Sequence, residues 1–178
     1  MKLTKTIRFD ASDTRIFAPA AQEGHWAISG SFSFSGLRDD EIKGKVKQAF
    51  SNGFLSVPDF GYSTFVSVAQ AKDEDIEMIR QALATHFITA YNAPSQQEAL
   101  AAADAEIHFM AEICADHKTG TLLSLSRQLD EHGIKEQFRA HAKAENCAEQ
   151  KLWQMVDDDD TELHSAEKDM ALRKHTDA

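Results

Sequence analysis

Eight histidines and two cysteines are the side chains of this sequence best suited to bind a metal or move a proton. Their spacing is the first test of whether they do. His108 and Glu112 lie four apart in a segment of strong helical period, so both project from one face. Cys114 and His117 follow on other faces, and His132, Glu136 and His141 form a looser group. A carboxylate-bridged two-metal bundle uses Glu-x-x-His pairs. The nearest approaches here are Glu106-x-His108 and Glu162-x-His164. Surface histidines on charged helix faces are the plainer reading, with His108 and Glu112 as the metal candidates.

Other constellations fall short of their chemistry. A calcium loop begun at Asp157 would place Glu162 where glycine is required and Lys168 where the bidentate glutamate belongs. The serines of Gly30-Ser31-Phe32-Ser33-Phe34-Ser35-Gly36 lack the Gly-x-Ser-x-Gly spacing of a nucleophile elbow. Cys114 has His117 near it in sequence, which alone does not activate a thiol. Cys114 and Cys147 form neither a CxxC pair nor a zinc-finger spacing. Phosphate-binding and dinucleotide-binding glycine motifs are lacking. No cofactor is therefore expected.

Aromatic residues offer a ligand alternative. Trp26, Phe32 and Phe34 line either a plain core or a pocket between sheet and helices. In a pocket, Arg15, Arg127 or Arg139 would supply a cation for an anionic ligand.

The elements that must position these groups follow from periodicity. Residues 2–9 alternate Leu3, Ile7 and Phe9 against Lys2, Thr4, Thr6 and Arg8, which reads as a strand. Thr14–Phe17 reads as a second, short strand, limited by Pro19. In 25–35, Trp26, Ile28, Phe32 and Phe34 alternate with small residues, a third strand with an aromatic face and a serine face. Asp39 is the expected N-cap of a helix through Phe50, stopped by Asn52-Gly53. Tyr62–Gln70 supplies a fourth strand.

Helices dominate the remainder. Ile76, Ile79, Leu83, Phe87 and Tyr91 form one stripe from Asp73 onward. Ser95-Gln96-Gln97-Glu98 is a capping box opening a long helix that Gly120 ends. For Thr121–Arg127, strand and helix patterns compete, and the spacing of Leu122, Leu125 and Leu129 favours helix. Ile134–Ala144 is expected to be helical, anchored by Ile134 and Phe138.

The expected fold is thus α+β. An antiparallel sheet of about four strands occupies the first 70 residues, covered by three or four helices. Residues 1–147 form one domain, and 148–178 an acidic, marginally helical tail with nine acids against four bases. The chain's net charge of −10 opposes nucleic-acid binding. No apolar run approaches the ~20 residues of a membrane span, and the N-terminus lacks the apolar segment of a secretory signal. A cytoplasmic location is the expectation.

Three segments carry a family resemblance. Ser12-Asp13-Thr14-Arg15-Ile16-Phe17, Trp26-Ala27-Ile28-Ser29-Gly30-x-Phe32-x-Phe34 and Gly133-Ile134-x-Glu136-x-Phe138-Arg139 resemble a small uncharacterised bacterial family, a domain of unknown function. The resemblance covers roughly residues 1–145 and implies no activity, cofactor or site residue.

The leading functional expectation is a non-enzymatic cytosolic interaction or accessory protein with a protein partner. It extends, without a residue to carry it, to assisting assembly of a larger redox or metal-dependent enzyme. A homodimer is compatible with this reading. The alternatives are a small-molecule binding domain using the Trp26 pocket, and a metal-binding protein using His108 and Glu112.

Overall fold

A computed structural model describes residues 1–141 and 164–166. Strand β1 (Lys2–Ile7) is followed by the short helix α1 (Ser12–Ile16), strand β2 (Trp26–Ile28) and 3-10 turns at Ser31–Phe34 and Asp39–Glu41. Helix α2 (Gly44–Asn52), strands β3 (Phe54–Ser56), β4 (Tyr62–Ser63) and β5 (Phe65–Gln70) come next. Helices α3 (Asp73–Tyr91) and α4 (Gln96–Ala115) precede the hairpin of β6 (Leu122–Asp130) and β7 (Gly133–His141). A last strand, β8 (His164–Ala166), pairs with β7.

The fold is α+β, with four helices and a single sheet among the described residues, in the order β4-β3-β2-β1-β5-β6-β7-β8. Each neighbouring pair of strands is antiparallel. The sheet is twice the expected size, because it extends well beyond residue 70. On β1, Leu3 and Thr4 point to opposite faces, yet both are fully buried. The main core joins the sheet to α3 and α4, and includes Leu3, Ile28, Phe54, Val66, Leu83 and Met110. A second core of Phe17, Phe34, Ala49 and Phe50 fills the space between α1 and α2.

Helix α4 obeys its sequence signals closely. The Ser95 hydroxyl accepts the Glu98 backbone N–H at 3.2 Å, satisfying one of the amides that a helix start leaves unpaired. Asn92 ends α3 in the left-handed region at φ 52°.

Several expectations are overturned. Thr14–Phe17, expected as a strand, instead falls in and just after the helix Ser12–Ile16. The buried Asp13 carboxylate explains the docking of this turn: it accepts the Thr64 hydroxyl at 2.6 Å, the Thr64 N–H at 3.2 Å and the Ser63 hydroxyl at 3.2 Å. Strand 25–35 stops at Ile28, because Gly30 turns the chain at φ 74°. A Cβ at Gly30 would collide with the Leu55 side chain, so only glycine fits. Phe32 and Phe34 then part company. Phe32 joins the main core and Phe34 the second, so the alternation records two destinations rather than one sheet face. Helix α2 begins at Gly44, five residues beyond the expected N-cap Asp39.

Residues 121–127 and 134–144 are expected to be helical, but Leu122–Asp130 and Gly133–His141 form a hairpin closed by the two residues Glu131 and His132; 142–144 lie outside the described residues. Their inward positions run Leu123, Leu125, Arg127 on one strand and Glu136, Phe138 on the other. Two charged residues at buried positions break the apolar alternation that marks a strand.

The 148–178 segment lies outside the described residues except for His164–Ala166, which is extended. Cys147 lies outside them too.

Candidate functional site

Arg127 and Glu136 occupy one cross-strand row of the hairpin, and their side chains are 0% and 1% exposed. Arg127 Nε donates to Glu136 Oε1 at 2.6 Å. Arg127 Nη1 donates to the Phe50 and Gly53 carbonyls at 3.0 and 2.8 Å, covering carbonyls that the end of α2 leaves open. Nη2 donates to the Ser29 carbonyl, and the Ser29 hydroxyl donates to Glu136 Oε1. The guanidinium is thus consumed by the protein's own acceptors. It ties β2, α2 and the hairpin together and is not available to an anionic ligand.

Ser29 and Glu136 belong to two of the segments that carry the family resemblance, and the fold joins them directly. A family model described as a family of unknown function, DUF6505, matches residues 1–158. The chain belongs to this family. A search of the curated proteins found no match, and a search of the solved structures found none.

The other ligand candidates of this DUF6505 member do not converge. Trp26 is 6% exposed in the main core, with the Lys5 ammonium 4.4 Å above its ring. Arg15 is exposed on α1, and Arg139 is exposed on β7. His108 and Glu112 are both exposed on α4. Among the described residues, no group of three or more His, Cys, Asp or Glu could hold a metal ion. Burial pushes the Cys114 thiol up to about 12, which leaves it protonated and unreactive at neutral pH.

A different cluster, not anticipated from sequence, combines exposure with fixed geometry. The link from β3 to β4 runs through Asp59, Phe60 and Gly61. Asp59 accepts the Gln22 N–H at 2.9 Å and the Gly61 N–H at 3.1 Å, and its Oδ2 lies 3.2 Å from His25 Nδ1. Burial raises the Asp59 carboxyl, but hydrogen bonds from Ser56, Gln22 and Gly61 with the charge of His25 outweigh it and hold the group below its ordinary range. Gly61 is pressed so close to the 20–21 backbone that a Cβ there would lie 2.6 Å from the Ala21 nitrogen.

Phe60 is held between these two anchored residues. It adopts φ 50°, a conformation that costs a bulky residue about 1–3 kcal/mol. Its ring stacks flat on His86 of α3, with centroids 3.8 Å apart at 11°. Tyr91, one and a half turns further along α3, meets His86 edge-on at 5.4 Å and Phe32 at 5.5 Å. Burial lowers the His86 pKa, which favours a neutral imidazole in the stack. Tyr91 is 43% exposed and Ile88, beside it on α3, 40%.

Ser56, His25 and Asp59 have the residue types of a catalytic triad but not its geometry. Ser56 Oγ lies 3.4 Å from the same His25 Nδ1 that faces Asp59. A triad needs acid and nucleophile on opposite ring nitrogens. The trio is a device for holding the Phe60 turn.

Sequence patterning misses this cluster because its members come from four separate segments. The available signal was the Pro58-Asp59-Phe60-Gly61 turn, with an aromatic where such turns usually carry a polar residue.

Proposed function

We propose that this protein is an interaction or accessory domain whose recognition surface is the ring cluster at the C-terminal end of α3. The observation that carries the reading is Phe60, kept in a strained backbone conformation that lays its ring against His86 beside exposed Tyr91 and Ile88. Rigid aromatics lose little side-chain entropy on binding and dominate the affinity of protein interfaces. Backbone strain is retained where surrounding structure over-determines it, and it gathers at functional sites. A protein partner with an apolar anchor fits this surface better than a small ligand enclosed between sheet and helices, where Trp26 and Arg127 are already committed to the protein itself.

Site-specific photocrosslinking in the native host tests the proposal. A photoreactive residue at Ile88 is expected to give one discrete protein adduct. The same residue at Gln128, exposed on β6, is expected to give none. Equal labelling from both positions would contradict the reading.

A further inference from the structure

The face of the hairpin opposite the Arg127–Glu136 pair carries a second arrangement of polar groups. Ser124 on β6 stands opposite Phe65 of β5 and opposite Arg139 of β7, so the three share one row across the sheet. His141, two residues beyond Arg139 on β7, lies diagonally from Ser124 on the same face. The Ser124 Oγ is 2.7 Å from His141 Nε2. Both residues are half-buried and Arg139 is exposed. The His141 ring meets the Phe65 ring edge-on at 5.9 Å, and Phe65 meets the exposed Phe9 at 5.4 Å.

We propose that Ser124 is a nucleophile, with His141 as its general base, toward small activated acyl esters that rest an apolar acyl group on Phe65 and Phe9. The distance is that of a nucleophile–base hydrogen bond. With the ring proton on Nδ1, Nε2 accepts from the serine hydroxyl. Burial, aided by the positive charge of Arg139, lowers the His141 pKa and keeps its imidazole an acceptor at neutral pH. Arg139, in the same row as Ser124, is a cation on this face that would favour the negative charge developing on the attacked carbonyl oxygen.

The chemistry balances with water as the second reactant. A bond forms from Ser124 Oγ to the carbonyl carbon while the hydroxyl proton passes to His141 Nε2. The carbon–oxygen bond to the leaving group breaks, and its electron pair departs with the alkoxide or phenolate. His141 gives up the proton to the leaving group or to solvent. A water molecule, deprotonated by His141, then attacks the acyl-serine; the carboxylic acid leaves and Ser124 regains its proton.

The full-length protein with p-nitrophenyl acetate provides the test. The expected result is release of p-nitrophenolate with a single acetyl group on the tryptic peptide containing Ser124. Ser124→Ala is expected to abolish that adduct. His141→Gln, which preserves a hydrogen-bonding side chain, is expected to slow acetylation by roughly 100-fold or more. Circular dichroism establishes that both variants fold. Failure of the wild-type protein to acetylate Ser124, or equal acetylation in folded His141→Gln, would overturn the proposal.

Discussion

Arg127 Nε and Glu136 Oε1 lie 2.6 Å apart across the β6–β7 hairpin, sealed from solvent on both sides. The pair does more than neutralise itself. Arg127 also reaches the end of α2 and the Ser29 carbonyl, so one guanidinium sets how three elements meet. Glu136 Oε2 makes no hydrogen bond among the described residues, so the pair is an organising feature whose net contribution to stability is modest.

Breaking this pair from one side is expected to be severe. Arg127→Met strands the Glu136 charge and the α2 carbonyls, with a loss of about 3–5 kcal/mol. The double variant Arg127→Met with Glu136→Leu is expected to lose less than the single Arg127→Met, because no buried charge remains. Urea unfolding of the single and double variants checks the ordering. A double variant at least as unstable as Arg127→Met would contradict it.

Two glycines separate torsional cost from collision. Gly24 has φ 81° and open space around it, whereas Gly30 has φ 74° with Leu55 in the way. Gly24→Ala is expected to cost about 1 kcal/mol, the penalty of the left-handed region. Gly30→Ala is expected to cost at least about 2 kcal/mol more through overpacking. Thermal unfolding of both variants measures the difference, and equal losses would show that Leu55 gives way freely.

Much of the fold was legible in the sequence where local signals and burial agreed. Ser95 with Glu98 placed the start of α4, and the Ile79–Leu83–Phe87 stripe placed α3; α4 ends at Ala115, before the expected stop at Gly120. The failures have separate causes. Gly30 ended a strand that alternation alone would have continued. Arg127 and Glu136 hid a hairpin, because buried charges at strand-inward positions resemble the polar face of a helix. The site was less legible than the fold. Phe60, His86, Tyr91 and Ser124 acquire meaning only when tertiary structure brings distant segments together, and periodicity carries no record of that.

Acid should loosen the Phe60 turn through Asp59. The folded pKa of this group lies below its ordinary 3.8. Its contribution is therefore fully present above that ordinary value and is lost as pH falls through the lower folded value. Asp59→Asn is expected to cost about 1–2 kcal/mol at pH 7, with a smaller loss once pH falls through that lower folded value and the wild-type carboxyl is also protonated. Chemical unfolding at a series of pH values checks the convergence; a constant gap would assign Asp59 no role through its charge.

The sealed thiol of Cys114 gives a local report on opening. Because burial lifts its pKa to about 12, iodoacetamide at pH 8 is expected to modify Cys114 only in denaturant. Peptide mass spectrometry distinguishes this residue from Cys147. Prompt labelling in the native protein would show that α4 opens readily from the sheet.

Native mass spectrometry of the untagged protein purified from its host, beside its Tyr91→Ala variant, tests the recognition surface most directly. The expected result is a discrete added polypeptide mass on the wild-type chain that is missing from a folded Tyr91→Ala protein. A wild-type chain that carries no added polypeptide, or an added polypeptide held equally by the variant, would contradict a recognition surface at the end of α3.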